Sequence, residues 1–297
     1  MGMRLLKADE PLCEVDLSKY TVETSLKEQL LAEDYPYYFQ GGASTITAQW
    51  DVLELVTTNL AQHYPEHFQL QCEGDVWRWH NAITGATATF HFGDPATLPL
   101  EPIDWIGRQI QEDLVLLSAD SAATFVGGQL CFANGWAISD RLGKSFLEIH
   151  QRTPPATIPS VETGARFLQN LKPGRTYWRM SWNFKLSDQM DMTTRHKPAY
   201  KADFAQRAPL LTADDVGSAV FIRIERQTFT RLPRSQGLLF GIHTYNSSVA
   251  EEATDPIRAR SVLNVVREAP RDVKDYKAIT PIETSLVSFL EARATSG

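Results

Sequence analysis

Apolar residues recur along this chain at two periods, and the switches between them mark out its elements. Trp50, Leu53, Val56 and Leu60 fall at helical spacing between Thr45 and Tyr64, and Pro65 ends the run. Phe68, Leu70 and Cys72 alternate with polar residues, as on a half-buried strand. Val76–His80 and Ala86–Phe92 read as a hairpin joined through Ala82, Thr84 and Gly85. A second helix is predicted from Asp104, whose carboxylate suits an N-cap, with Ile106, Ile110, Leu114 and Leu117 as its apolar stripe. Gly127–Ala133 is strand-like. Ser139 is predicted to cap a short helix that carries Leu142, Phe146 and Ile149 and reaches His150, with Thr153–Pro154–Pro155 as its stop. A further helix is expected over Ser160–Leu171.

Period-two alternation then takes over. In Tyr177–Phe184, Trp178, Met180, Trp182 and Phe184 point one way and Tyr177, Arg179, Ser181 and Asn183 the other. Val220–Phe229 and Leu238–Tyr245 are apolar strands with embedded charge, joined by Arg231–Gly237. Near the end, Thr280, Pro281 and Glu283 suit the N-cap, N1 and N3 positions of a capping box. The first forty residues, with Tyr35, Tyr37, Tyr38 and Phe39 bunched, read as an arm packed on the body. The mixed order predicts an α+β fold, a mostly antiparallel sheet with flanking and terminal helices. No repeat and no Pro/Gly/Ser linker interrupts it, so residues 1–297 are expected to form one domain with an N-terminal arm and C-terminal helices.

Composition narrows the function. A net charge of -7 argues against nucleic acid or an anionic membrane as partner, because either needs a basic face. The three cysteines, Cys13, Cys72 and Cys131, are scattered and odd in number, which is no disulfide framework. MGMRLLKADEP carries no apolar signal stretch, and no run approaches the roughly 20 apolar residues of a membrane span. The expected location is the cytoplasm. Rossmann, P-loop, HExxH and Gly-x-Ser-x-Gly signatures are all absent.

What remains is an unusual concentration of charge on two apolar strands. Arg223, Glu225, Arg226, Gln227 and Arg231 crowd into FIRIERQTFTR. Buried charge needs partners, so these groups form either an internal Glu–Arg network or an anion clamp, since Arg forks bind carboxylates bidentately. His150, at the end of an amphipathic helix, either complements the helix dipole or points a ring nitrogen at a metal. His243, close to the charged network, is its main rival. Cys131 could supply a thiolate or be a small buried hydrophobe. His80 and His91 could meet across their hairpin as a metal pair, while His63, His67 and His196 occupy polar positions.

Several separated motifs, in order, resemble the haem-dependent oxidative N-demethylase-like family. They are QEDLVLL (111–117), QLCFANGWAISDRLGKSFLEIH (129–150), WRMSW (178–182), and ERQTFTRLP with LLFGIHTY; the opening MGMRLLKADEPLCEVD is similar too. The resemblance implies a PAS-like haem-binding fold, O2 activation at haem b, electrons from a separate reductase or ferredoxin-type donor, and removal of an N-methyl group as formaldehyde. Its small-amine substrate in bacterial members is dimethylamine. By position, His150 matches the family's iron-ligating His, while Arg226 and Arg231, with Glu225, Gln227 and His243 nearby, fall where the haem would be held. Tyr177, Arg179, Ser181 and Asn183, sharing one strand face, are the candidate distal, catalytic residues.

The chain departs from the family pattern at Ser181, where Asn is usual before the Trp, and at His243, where Arg is more frequent. After His150 it reads Gln-Arg-Thr-Pro-Pro. The implied substrate is therefore either a small amine or a larger biosynthetic intermediate handled by a diverged oxidase. A sensor or carrier that binds haem without catalysis is the other class, and a scaffold that has lost haem a third.

Overall fold

The computed structural model describes residues 2–150 and 158–294. Ten strands are numbered in chain order: β1 Arg4–Leu5, β2 Phe39–Gln40, β3 Phe68–Glu73, β4 Val76–Asn81, β5 Ala86–His91, β6 Asp113–Leu117, β7 Phe125–Gln129, β8 Thr176–Lys185, β9 Phe221–Arg231 and β10 Leu238–Ser248. Seven form an antiparallel sheet in the order β1-β8-β9-β10-β6-β7-β2, and β3-β4-β5 make a small separate meander. With helices around both, the fold is α+β.

The expected arm turns out to be part of the frame. Its start pairs with β8 as β1 and its end pairs with β7 as β2, so it closes both edges of the main sheet. Between them runs the helix Tyr20–Glu33, whose Lys27 is fully buried and donates to the carbonyls of Gly107 (2.9 Å) and Ile110 (3.3 Å). Covering edges in this way removes unpaired backbone from solvent.

The helix expected from Asp104 to Leu117 does not form. A short helix, Pro102–Gly107, ends there, and Asp113–Leu117 is the buried strand β6. The apolar run Leu114–Leu117 is covered on both faces, and such a run carries no period that separates strand from helix. Asp104 is inside the helix instead of capping it; its carboxylate accepts from Tyr35 Oη (2.8 Å) and Gln129 Nε2 (2.8 Å). Gly143, at φ 77°, splits the segment expected as one helix into two short turns, Ile138–Arg141 and Phe146–Ile149. The expected helical stop at Thr153–Pro155 lies outside the described residues. The capping box at Thr280 is also absent: Thr280 Oγ1 bonds Asp275 and Glu283 pairs with Lys274.

Packing divides by sheet face. On one face lie Trp182, Phe184, Ile222 and Ile224 under the helices Pro256–Glu268 and Glu283–Ala294, and Leu114, Leu116 and Leu239 under the helix Ile46–His63 and the small sheet. On the other, Val115, Phe229, Phe240 and Ile242 pack with Leu168, Phe146 and Ile149. No helix among the described residues is long and apolar enough to cross a membrane.

Candidate functional site

Three strands supply the floor of the site. Cross-strand register aligns Tyr177, Arg179, Ser181 and Asn183 of β8 with Phe229, Gln227, Glu225 and Arg223 of β9, and these with Phe240, Ile242, Thr244 and Asn246 of β10. Directly paired residues share a face, so all twelve side chains leave the sheet on the same side. Along this face the character changes from apolar to charged. Phe229 stacks on Phe240 (4.7 Å, 11°), and Tyr177 meets Phe167 edge-on (4.9 Å). Beyond them, Arg179 Nε donates to Gln227 Oε1 (2.8 Å), and Gln227 Nε2 donates to Glu225 Oε2 (2.9 Å).

His150 follows Phe146 and Ile149, which pack against the apolar half. Ser145 and Glu148 build its support through a capping box: Ser145 N donates to Glu148 Oε2 (2.7 Å) and Glu148 N to Ser145 Oγ (3.3 Å). The turn Phe146–Ile149 follows, and His150 is its C-cap. The His150 ring lies 4.3 Å from the Phe146 ring, and its Nδ1 is 2.7 Å from the Phe146 carbonyl. A carbonyl can only accept, so Nδ1 carries the proton and Nε2 the lone pair. Burial holds the imidazole pKa below its ordinary value; the Phe146 carbonyl pulls it up, and the charges of Arg179 and Arg141 push it down again. The net shift favours the neutral ring, the form that ligates metals.

The remaining expected residues divide between the two faces. His243 pairs with Arg226 across β10 and β9, one position out of phase with Gln227, so both project on the face opposite His150. There Arg226 donates to the carbonyls of Leu12 and Pro11 (2.7 Å each) and pairs with Glu14 (3.2 Å), under the Trp178 ring. His243 Nδ1 is 3.1 Å from Glu112 Oε1, with Tyr245 stacked on it at 4.3 Å. Of the family-like triplet Gln111–Asp113, Gln111 and Glu112 serve this side as well, while Asp113, paired with Ile242, projects on the His150 side. Gln111 accepts from Asp16 N, Glu112 from Glu14 N, and Asp113 from the amides of Cys131 and Phe132. Arg231 shares the parity of Glu225, but its guanidinium donates to the carbonyls of Leu168, Leu171 and Gln236, where it caps the end of helix Ile158–Asn170.

Two metal alternatives lose their geometry. Cys131 is fully buried with the core on the far face, and burial pushes its thiol well up. His80 pairs with Thr87 and His91 with Val76, at opposite ends of the hairpin, so they do not meet. Among the described residues no group of three or more His, Cys, Asp or Glu side chains could hold a metal ion. A single axial His on a macrocycle does not need one.

Two residues of the charged face are not among the sequence candidates: Lys185 and Asn246. Arg223 shares the parity of Glu225 and Gln227, but register was needed to bring Asn246 beside them.

A face with one neutral, oriented imidazole, an aromatic wall and a cationic end suits a flat apolar group bearing carboxylates. Residues 6–287 match the family described as haem-dependent oxidative N-demethylase, alpha subunit-like, and the chain belongs to that family.

Proposed function

We propose that the protein is a haem-dependent oxygenase that removes an N-methyl group from an amine. The observation that carries this reading is the His150–Phe146 hydrogen bond, which orients an imidazole on a turn packed against an apolar, aromatic-lined face. The residues fit haem b. His150 would ligate the iron, Phe229, Phe240, Ile149 and Tyr177 would form the apolar walls, and Arg179 would offer a cation for a propionate. When bound, haem supplies the redox chemistry: with O2 and two electrons from a partner reductase or ferredoxin-type protein it oxidises a C–H bond next to nitrogen.

The chain's residues orient and protect that reaction. An N-methylamine, O2, two electrons and two protons give formaldehyde, water and the amine with hydrogen in place of the methyl group. The hydroxymethylamine formed on the way breaks its C–N bond without help. Gln227 holds Arg179 by Nε and is itself held by Glu225, so the guanidinium keeps one orientation. Ser181, opposite Glu225, offers a hydroxyl, and Tyr177 closes the apolar end against Phe167. Arg226, Arg231 and His243 act at a distance from the cofactor: Arg231 fixes the helix over the pocket, and the other two fix the N-terminal segment beneath the sheet.

The test is reconstitution. Protein produced with haem supplementation should show a Soret band and, with reductant, O2 and an N-methylamine, release formaldehyde. A Soret band without formaldehyde would make it a carrier or sensor, and no Soret band would end the haem reading.

A further inference from the structure

The charged half of the site holds a row of polar groups that the chain itself leaves unsatisfied. Asn183, Arg223 and Asn246 stand opposite one another on β8, β9 and β10. Among the described residues, Arg223 Nε, Asn183 Oδ1 and both amide atoms of Asn246 are buried without a hydrogen-bond partner. Arg223 is 1% exposed. Two of its nitrogens are anchored on the carbonyls of Phe132 and Gln189, which hold the fork still but carry no charge. Buried orphans are uncommon because each costs free energy, and a cluster of them in adjacent positions marks a place where something else supplies the partners.

Charge points the same way. Lys185 lies on this face one position from Asn183, and Lys277 reaches it from the β8 edge, where its Nζ donates to the Trp182 carbonyl. Arg179, Lys185, Arg223 and Lys277 are four cations around one carboxylate, Glu225, and none is in an ion pair among the described residues. Asp113 and Asp191 attract Arg223 from further off, but Asp113 is committed to Lys27 and two amides, and Asp191 to Tyr38, Thr193 and His196. Burial lowers the pKa of all four cations, as it does for cations lacking a close anion.

We propose that Arg223, flanked by Asn183 and Asn246, is a substrate subsite for a carboxylate, so that the amine demethylated here belongs to an amino acid or a related amino-carboxylate and not to a simple alkylamine. The reading rests on the demethylase function above and names its substrate class. One carboxylate oxygen meets Arg223 Nε and the other Asn246 Nδ2, a charge-assisted pair. Glu225, one face position nearer Arg179, offers the counter-charge for the amine. From Arg179 to Asn183 is four residues along an extended strand, roughly 13 Å, which sets this subsite apart from the His150 end.

The experiment is calorimetric titration of the haem-loaded protein with 4-(dimethylamino)butyrate and with its methyl ester. The acid should bind at least about tenfold more tightly, as for gain of one charged hydrogen bond. Asn246→Asp should abolish that preference and raise thermal stability, because the introduced carboxylate satisfies Arg223 within the chain. Lys185→Met gives a second arm that leaves the row intact; it should weaken the acid and not the ester. Equal affinity for acid and ester, or an unchanged preference in Asn246→Asp, overturns the proposal. So does acid binding that disappears once haem is loaded, because the cofactor's own carboxylates would then fill the subsite. If no Soret band forms, the demethylase reading falls, and preference of the protein alone for the acid over the ester still supports a carboxylate site.

Discussion

Arg226 and Gln227, adjacent in the chain, leave β9 on opposite sides of the sheet. Gln227 joins the Arg179–Glu225 relay beneath His150, and Arg226 clasps Pro11, Leu12 and Glu14 of the N-terminal segment. One strand therefore serves two purposes by alternation: odd positions face the candidate haem site, even positions tie down the frame.

If His150 is the axial ligand, His150→Ala should lower haem occupancy at least about tenfold, the scale on which metal sites respond to lost support. Added imidazole should restore the absorption spectrum by filling the space left. The spectrum and occupancy of the variant, measured with and without imidazole, check this; a spectrum identical to wild type rules His150 out.

Ser145→Ala should act on the site and not on the whole fold. It removes the cap of a single exposed turn, at a cost of about 1 kcal/mol. The turn positions His150, so haem should dissociate faster while the thermal midpoint barely moves. Dissociation to an excess of a high-affinity haem acceptor, read against a melting curve, separates the two effects.

Arg226→Ala should do the reverse. It strips partners from two carbonyls and from Glu14, a loss of roughly 3 kcal/mol from two charged hydrogen bonds at the low end of their range. Urea unfolding should show that loss, with the haem spectrum unchanged in the folded fraction. A variant as stable as wild type would remove Arg226 from the frame.

His243 makes stability depend on pH. Burial alone would lower its pKa, but Glu112 at 3.1 Å, with Glu23 and Glu14 beyond, outweighs burial and raises it above the ordinary value. A raised folded pKa means that the charged pair stabilises fully below the unfolded value of about 6.5 and is lost as pH rises through the folded one. Wild type minus His243→Gln, followed by urea unfolding from mildly acidic to alkaline pH, should therefore shrink over that window. A difference independent of pH would show that the pair stays uncharged.

The limits of sequence reading can be traced to particular residues. The strand of Tyr177–Phe184 was legible, with its two faces correctly sorted, because period two shows wherever the two faces differ in polarity. Leu114–Leu117 was not, because a strand buried on both faces carries no period and its leucines also fit a helical stripe. Ser145–Glu148 was an unread capping box overshadowed by Ser139, and Gly143, which separates the two turns, was the missed sign. The resemblance gathers Arg226, His243, Glu225 and Gln227 into one cofactor set, but alternation along β9 and β10 sends Arg226 and His243 to one side of the sheet and Glu225 and Gln227 to the other.

By itself, then, the sequence determined the α+β class, the family, the strand–turn–strand of β9 and β10, and His150 as the residue at a turn end. These depend on local period and on motifs that survive without knowledge of neighbours. Only the tertiary structure decided which side of the sheet each charge occupies, that the N-terminal segment closes both sheet edges, and that Asn183, Arg223 and Asn246 stand in one row. Those facts depend on cross-strand register, which is set by burial across the whole sheet and by contacts between residues more than two hundred positions apart, such as Arg226 with Leu12 and Pro11.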